Sequence, residues 1–234
     1  MNRKGNRSVH EEIKAQIVSI CRKMWQKNWA AANDGNISVR VGEDRFLTTQ
    51  TGISKGDITA EHIGLIDGTC SVIEAAEGFR PSSEVKMHLR CYRERPDIGA
   101  VVHAHPPYAT GYACAHQPLD DYCLIGQVIF VGAVPVTPYA APSTEEVPEA
   151  IAPYLSEHDV LLLANHGALA LGADLTAAYY RMEMLEHQAQ ISLVARLLGG
   201  AADLSRAEID RLIAMRPKYG ASGRHPGYVK YPRE

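Results

Sequence analysis

The stretch IGAVVHAHPP, residues 98–107, decides how this chain folds and where its chemistry lies. Its apolar, β-branched composition predicts a buried strand over residues 98–105, ended by Pro106-Pro107. Because residues two apart on a strand point to the same face, His103 and His105 are expected to emerge together while Val102 and Ala104 face away. Two imidazoles at the end of a buried strand are costly unless their nitrogens are paired, and a divalent metal is one way to pair them. Hydrogen-bonded surface histidines are the other interpretation of His-x-His.

Helices and strands alternate on both sides of this stretch, without a Pro/Gly/Ser-rich linker, which predicts one α/β domain over residues 1–234. Residues 216–234 are expected to form a C-terminal arm, irregular from residue 219. Strands are predicted at 37–41, 45–49, 128–136 and 160–171, the last interrupted by Asn165-His166-Gly167. Helices are predicted from a capping box at Ser8 and Glu11, from a serine cap in Pro81-Ser82-Ser83-Glu84 to Arg95, from Asp174 or Thr176 to Leu198, and from Ser205 to Met215.

Composition excludes several classes of protein. The chain has 234 residues, 24 Lys+Arg against 27 Asp+Glu and a formal charge of −3, with no basic stripe for nucleic acid and no apolar run long enough to span a membrane. Five widely spaced cysteines without a C-x-x-C pair indicate neither a disulfide framework nor a thiolate zinc site, so a cytoplasmic location is predicted. Ten histidines, against three phenylalanines and two tryptophans, are the unusual feature.

Two further elements extend the metal hypothesis. His166 interrupts an apolar strand, where an unpaired imidazole is costly. Glu84 lies at the start of the helix that precedes the His-x-His strand, although it could equally be an ordinary first-turn carboxylate. Three imidazoles and one carboxylate would form a zinc site of catalytic type. His88, one turn beyond Glu84, either supports this site or belongs to a pair on the helix surface; the other six histidines are interpreted as structural or solvated.

Three short segments combine flexible residues with hydrogen-bond donors, and each could bind an anion at a turn or helix start. Turn and cap chemistry explains each pair separately, so their residues alone leave both interpretations open. The pairs are Gly35-Asn36, Thr51-Gly52 and Ser82-Ser83.

Taken in order, five motifs resemble the class II aldolase/adducin family, and within it the fuculose-phosphate aldolase type. The likeness covers about residues 10–200. The motifs are Gly35-Asn36-Ile37-Ser38, Thr51-Gly52-Ile53, Pro81-Ser82-Ser83-Glu84, Val101-Val102-His103-Ala104-His105 and Asn165-His166-Gly167.

The resemblance implies a three-layer α/β/α fold with a central mixed sheet, assembled as a homotetramer with active sites at subunit interfaces. It implies that His103, His105 and His166 hold Zn²⁺, or another divalent metal such as Mn²⁺ or Co²⁺, with Glu84 as fourth ligand and then acid/base. It also implies that the phosphate of dihydroxyacetone phosphate is bound by Gly35, Asn36, Thr51, Gly52, Ser82 and Ser83.

Two tyrosines are candidates for the remaining catalytic roles that the resemblance implies. The family's proton-donating tyrosine, contributed by a neighbouring subunit, falls at Leu124 on a gapless match, and Tyr122 lies two residues earlier. Asn33 replaces a threonine beside the phosphate loop. Tyr219 matches a C-terminal tyrosine that covers the site.

The function implied is a zinc-dependent aldolase that cleaves a ketose 1-phosphate, such as L-fuculose 1-phosphate or a related deoxyketose 1-phosphate, to dihydroxyacetone phosphate and a small aldehyde through a metal-stabilised enediolate. One alternative is a metal-dependent decarboxylase of a 3-keto acid phosphate or an aromatic acid on the same scaffold. The other is a non-catalytic, adducin-like oligomerising domain, which the retained histidines and Glu84 argue against.

Overall fold

The computed structural model describes residues 3–225, with side chains from Val9 onward. The strand predicted within the stretch 98–107 lies inside an eight-stranded sheet. The strands are β1 (Asn36–Gly42), β2 (Arg45–Thr49), β3 (Ile63–Ile66), β4 (Val72–Glu74), β5 (Ala100–Ala104), β6 (Val136–Thr137), β7 (Val160–Leu163) and β8 (Gly167–Gly172). The α-helices are α1 (Arg3–Gln26), α2 (Val85–Glu94), α3 (Pro107–Cys114), α4 (Ile125–Phe130), α5 (Glu146–Ile151), α6 (Leu175–Leu197) and α7 (Arg206–Ala214). Short 3₁₀ helices span Ala60–His62, Ala152–Tyr154 and Arg216–Tyr219.

The sheet order is β4-β3-β2-β1-β5-β8-β7-β6. All neighbouring strands are antiparallel except β6 and β7, which makes the sheet mixed, as expected. In this register Asn36 of β1 faces His103 of β5, and His103 faces Leu169 of β8. The end of β5 is therefore flanked by the start of β1 and the start of β8. Asn36, His103 and the turn that carries His166 meet at this end of the sheet.

Helices cover both faces of the sheet and confirm the three-layer α/β/α architecture. Val102 and Ala104 pack in a core cluster with α1, α3 and α6, while Val101 packs in a second cluster with α2 and α5. This alternation follows from the two-residue period of a strand. His103 shares the face of Val101, so its imidazole points into the layer that contains α2.

The run 128–136 and the capping box at Ser8 and Glu11 differ from the structure. The run 128–136 is wrong as a strand, because it forms the end of α4, a turn at Gly132 with φ 79°, and only then β6. A short apolar run has no period that separates a buried helix from a buried strand. The capping box at Ser8 and Glu11 is also wrong, since α1 begins at Arg3 and Glu11 instead pairs with Lys14 at 3.2 Å.

The run 160–171 is two strands rather than one, because Asn165, at φ 57°, turns the chain between β7 and β8. The predicted caps at Asp174 and Ser205 are confirmed, as their side chains accept the amides of Ala177 and Glu208. Among the strands and α-helices, β3, β4, α3 and α5 had no sequence prediction. The C-terminal arm is described to residue 225 and begins as a 3₁₀ helix at Arg216; its residues 226–234 lie outside the described part.

None of the helices described is both long enough and apolar enough to cross a membrane. All five cysteines are free thiols.

Candidate metal centre

The three motif histidines meet at one point beyond the end of β5. His103 lies one residue before the end of β5, His105 follows the strand, and His166 comes from the turn between β7 and β8, a strand pair that the register brings alongside β5. One nitrogen from each lies within 4.8 Å of the others. His103 is fully buried, whereas the side chains of His105 and His166 keep 24% and 17% of their exposure, so the cluster opens to solvent on one side.

Glu84, at the N-terminus of α2, lies against these histidines. Its carboxylate oxygens lie 2.9 Å from His103 Nε2 and 3.2 Å from His166 Nε2. The predicted serine cap is wrong, because α2 begins at Val85 with Glu84 itself at the cap position, and Ser82 Oγ accepts the Glu84 amide at 3.3 Å. Burial by itself would raise the pKa of Glu84, but His103 and His166 hold it well below its usual range. The carboxylate is therefore ionised at neutral pH.

The hydrogen bonds of the imidazole nitrogens that face away from the cluster determine which ring nitrogen carries the proton. His103 Nδ1 donates to the carbonyl of Ala168 at 2.9 Å, and His105 Nδ1 donates to a carboxylate oxygen of Asp34 at 3.1 Å. In the neutral rings both Nε2 atoms then carry lone pairs, and these two atoms are only 3.1 Å apart. Burial and the adjacent His103 lower the pKa of His105, which keeps its ring neutral. Imidazole nitrogens that converge beside a carboxylate fit a divalent metal such as zinc.

The three anion-binding candidates flank this cluster. The turn at Thr51 is tied to the segment before α2, because Thr51 N donates to Arg80 O and Ser82 N donates to Thr49 O. Asn36 Nδ2 donates to a Glu84 oxygen at 3.3 Å, while Asn36 Oδ1, also buried, has no hydrogen-bond partner in the described part of the chain. Gly35 and Gly52 adopt φ 74° and 76°, which glycine allows at no steric cost. The six residues therefore lie at the same end of the sheet as Glu84.

His88 is fully buried, so its interpretation as part of a helix-surface pair is wrong. His88 Nδ1 lies 2.8 Å from Ser38 Oγ, Ser38 Oγ lies 2.9 Å from the hydroxyl of Tyr92, and that hydroxyl donates to Ser38 O. This network fills the space between α2 and β1, behind Glu84. Burial, with a contribution from His103 and against one from Glu84, lowers the pKa of His88 to about 3.

The buried, neutral His88 predicts acid sensitivity. A folded-state pKa of about 3 against 6.5 means that only the unfolded chain takes up this proton in that window. The free energy of unfolding should therefore fall as pH drops from 6.5, by up to about 1.4 kcal/mol per pH unit from this residue. Urea unfolding of metal-free protein at pH 7.5, 6 and 5 should show a shallower pH slope for His88→Gln than for wild type. His187→Gln, on an exposed position of α6, should keep the wild-type slope, and an unchanged slope for His88→Gln would refute the assignment.

The structure brings neither predicted tyrosine to the histidine cluster of its own chain. Tyr122 is fully buried in a small core with Val128 and Ile209, which does not support its role as a proton donor across an interface. Leu124, which the resemblance matches to the family's tyrosine, is half-buried ahead of α4. Tyr219 is 51% exposed and lines a groove with Arg181 near the start of α6, at the sheet end opposite to His166.

Several of the remaining histidines make local hydrogen bonds, as expected for structural residues. His158 and His225 contact the carbonyls of Ala133 and Val128, and His62 caps a 3₁₀ helix. His116 Nε2 lies 2.7 Å from Asn165 Oδ1, so it braces the turn that carries His166.

Two supporting residues had no sequence signal, Asp34 against His105 and Lys55 beneath the Gly35 loop, while Ser38 belongs to a motif but its contact with His88 was not predicted. An aspartate before glycine and a serine in a strand are common, and only the packing of separate segments gives these side chains their partners.

Comparison with known proteins gives a consistent result. Residues 15–193 match the family described as class II aldolase and adducin N-terminal domain. The chain is 32% identical over 195 residues to a 3-oxo-tetronate 4-phosphate decarboxylase of Pectobacterium atrosepticum, covering 80% of this chain and 86% of that protein. It is also 32% identical over 185 residues to an L-fuculose phosphate aldolase of Methanocaldococcus jannaschii, covering 79% and 98%. A solved structure of an L-fuculose 1-phosphate aldolase superposes with a TM-score of 0.81 at 30% identity, covering 89% and 96%.

Proposed function

Because this chain belongs to the class II aldolase and adducin family, we propose that it is a metal-dependent carbon–carbon lyase that cleaves a ketose 1-phosphate to dihydroxyacetone phosphate and a small aldehyde. L-fuculose 1-phosphate or a related deoxyketose 1-phosphate is the proposed substrate. The observation that carries the proposal is the convergence of His103, His105 and His166 on one point beside the ionised Glu84.

The three histidines would hold the metal, with Glu84 as a fourth, releasable ligand. A divalent ion held there supplies a Lewis acid that stabilises negative charge on the substrate oxygens. When the C3–C4 bond breaks, its electron pair stays on the phosphate-bearing fragment and the aldehyde leaves. Glu84, once it holds a proton, returns that proton to C3 and so completes dihydroxyacetone phosphate.

The turns beside Glu84 would bind the phosphate and so orient C3 toward the carboxylate. The proposed phosphate ligands are backbone amides and short polar side chains, which bind anions without a positive side chain of their own. They are Gly35, Asn36, Thr51, Gly52, Ser82 and Ser83.

A second candidate function is decarboxylation of a 3-keto acid phosphate such as 3-oxo-tetronate 4-phosphate. Loss of carbon dioxide from that acid breaks C1–C2 and leaves the same phosphorylated fragment, which again needs one proton. Aldol cleavage also needs a group that takes the proton from the C4 hydroxyl, and the position of the family's tyrosine holds Leu124 here. That leucine is the observation that favours the decarboxylase.

The co-product distinguishes the two reactions, since both leave dihydroxyacetone phosphate. Zinc-loaded enzyme should be given L-fuculose 1-phosphate and, separately, 3-oxo-tetronate 4-phosphate labelled with ¹³C at C1. We expect dihydroxyacetone phosphate with equimolar aldehyde from the first substrate and no labelled carbon dioxide from the second. Labelled carbon dioxide without aldehyde would establish the second candidate instead. Absence of dihydroxyacetone phosphate from both substrates, and from a panel of deoxyketose 1-phosphates, would contradict both.

The proposed assembly is a homotetramer with active sites at subunit interfaces. Its support within one chain is the position of Tyr219, which lies far along the sheet from its own histidine cluster and would cover the site of a neighbouring subunit. The adducin-like, non-catalytic alternative has no support in a site that keeps three converging imidazoles and a carboxylate.

A further inference from the structure

Asp34 lies in the loop before β1, one residue ahead of Gly35. Its amide donates to Ala31 O at 2.8 Å, and its side chain is 43% exposed. Gly35, at φ 74°, lets this loop press against the end of β5, because a Cβ atom there would lie 3.0 Å from the carbonyl oxygen of His103. The close approach delivers the Asp34 side chain to the outer side of the histidine cluster.

The carboxylate of Asp34 contacts the His105 nitrogen that faces away from the other histidines. Oδ2 lies 3.1 Å from Nδ1, and an ionised carboxylate can only accept, so Nδ1 carries the proton and Nε2 the lone pair. His103 obtains the same tautomer from a backbone carbonyl within the β-ladder. His105 lies just beyond β5, so its ring orientation depends on a side chain from another segment.

A buried lysine holds this segment in place. Lys55 is 1% exposed, and its ammonium donates to Asn33 O at 3.1 Å and to Ile53 O at 3.0 Å. It thereby joins the residue before Asp34 to the Thr51-Gly52 turn. Two residues after Asp34, Asn36 donates to Glu84. The segment 34–36 therefore contacts two proposed metal ligands, His105 through Asp34 and Glu84 through Asn36.

We propose that Asp34 is a positioning residue that fixes the tautomer and the ring orientation of His105 for metal binding. The inference rests on the proposed function, because it assumes that His105 is a ligand. Partners of this kind typically contribute 10- to 100-fold in metal affinity. A merely structural Asp34 would instead stabilise the loop whether or not a metal is bound.

The test compares Asp34→Ala and Asp34→Asn with wild type, and uses Asp57→Ala, another exposed aspartate, as the matched control. Affinity for Zn²⁺ and Co²⁺ is measured by competition with a chromophoric chelator, and the ligand field by the visible spectrum of the Co²⁺ protein. We expect Asp34→Ala to bind both ions about 10- to 100-fold more weakly with an altered Co²⁺ spectrum. Asp34→Asn, which keeps an acceptor but no charge, should fall between alanine and wild type. The metal-free Tm should stay at the wild-type value in all three variants.

The outcomes separate this inference from the proposed function. Wild-type metal affinity in Asp34→Ala would overturn the positioning role alone, as would a lowered metal-free Tm with affinity reduced equally in the asparagine and alanine variants. Failure of the wild-type chain to bind either ion would overturn the proposed function, and this inference with it.

Discussion

Replacing His103 with alanine is expected to abolish stoichiometric zinc binding and to lower turnover by at least about 10³-fold, the scale of losing a preorganised stabiliser of developing negative charge. His103 is the central member of the cluster, since its Nε2 lies 2.9 Å from a Glu84 oxygen and 3.1 Å from His105 Nε2. Metal content by mass spectrometry and rate of dihydroxyacetone phosphate release measure the two effects. Chelation of the wild-type protein should give the same loss of activity, and added zinc should restore it.

The control for His103 must separate metal loss from unfolding, because the side chain is fully buried and its removal leaves a cavity. His103→Gln keeps more of the volume and a polar group, so it should retain the fold and still lose the metal. His62→Ala, in the 3₁₀ helix before β3, removes a side chain that contacts Thr59 and none of the clustered histidines, so it should keep zinc and activity. Full turnover by a folded, metal-free His103 variant would refute the metal site.

Replacing Glu84 with glutamine is expected to lower kcat by about 10²- to 10⁴-fold while the three histidines still retain zinc, because it removes the acid/base carboxylate. The substitution keeps the shape and an amide oxygen, so packing between α2 and β1 should be preserved. The direct measurement is exchange of a C3 proton of dihydroxyacetone phosphate for deuterium in heavy water, which requires proton transfer but no aldehyde. We expect this exchange to fall in parallel with kcat.

Glu94→Gln is the matched control for Glu84, since Glu94 ends the same helix and pairs with Arg90 on the surface. It should leave zinc content, exchange and kcat at wild-type values. Proton exchange at the wild-type rate in Glu84→Gln would assign the acid/base role to a different residue.

Local sequence patterns predicted much of the fold, and the failures have physical causes. The strand predicted at 98–105, observed at Ala100–Ala104, and the helix from Asp174 were predictable because an apolar run and a cap act over a few neighbouring residues. The run 128–136 was not, since an apolar segment of that length is equally suited to a buried helix. The structure has Glu84, not the predicted serine, at the cap position of α2. In that position the Glu84 carboxylate lies beside His103 and His166.

The residue types of the candidate ligands and one shared face are readable from the sequence: His103 and His105 point together because strand geometry is fixed at two residues per period. Only the tertiary structure decided that His166 and Glu84 join them, that His88 is buried behind the site, and that Asp34 contacts His105. These are contacts between segments far apart in the chain. Sheet order, strand register and loop packing set their distances, and no local pattern encodes those.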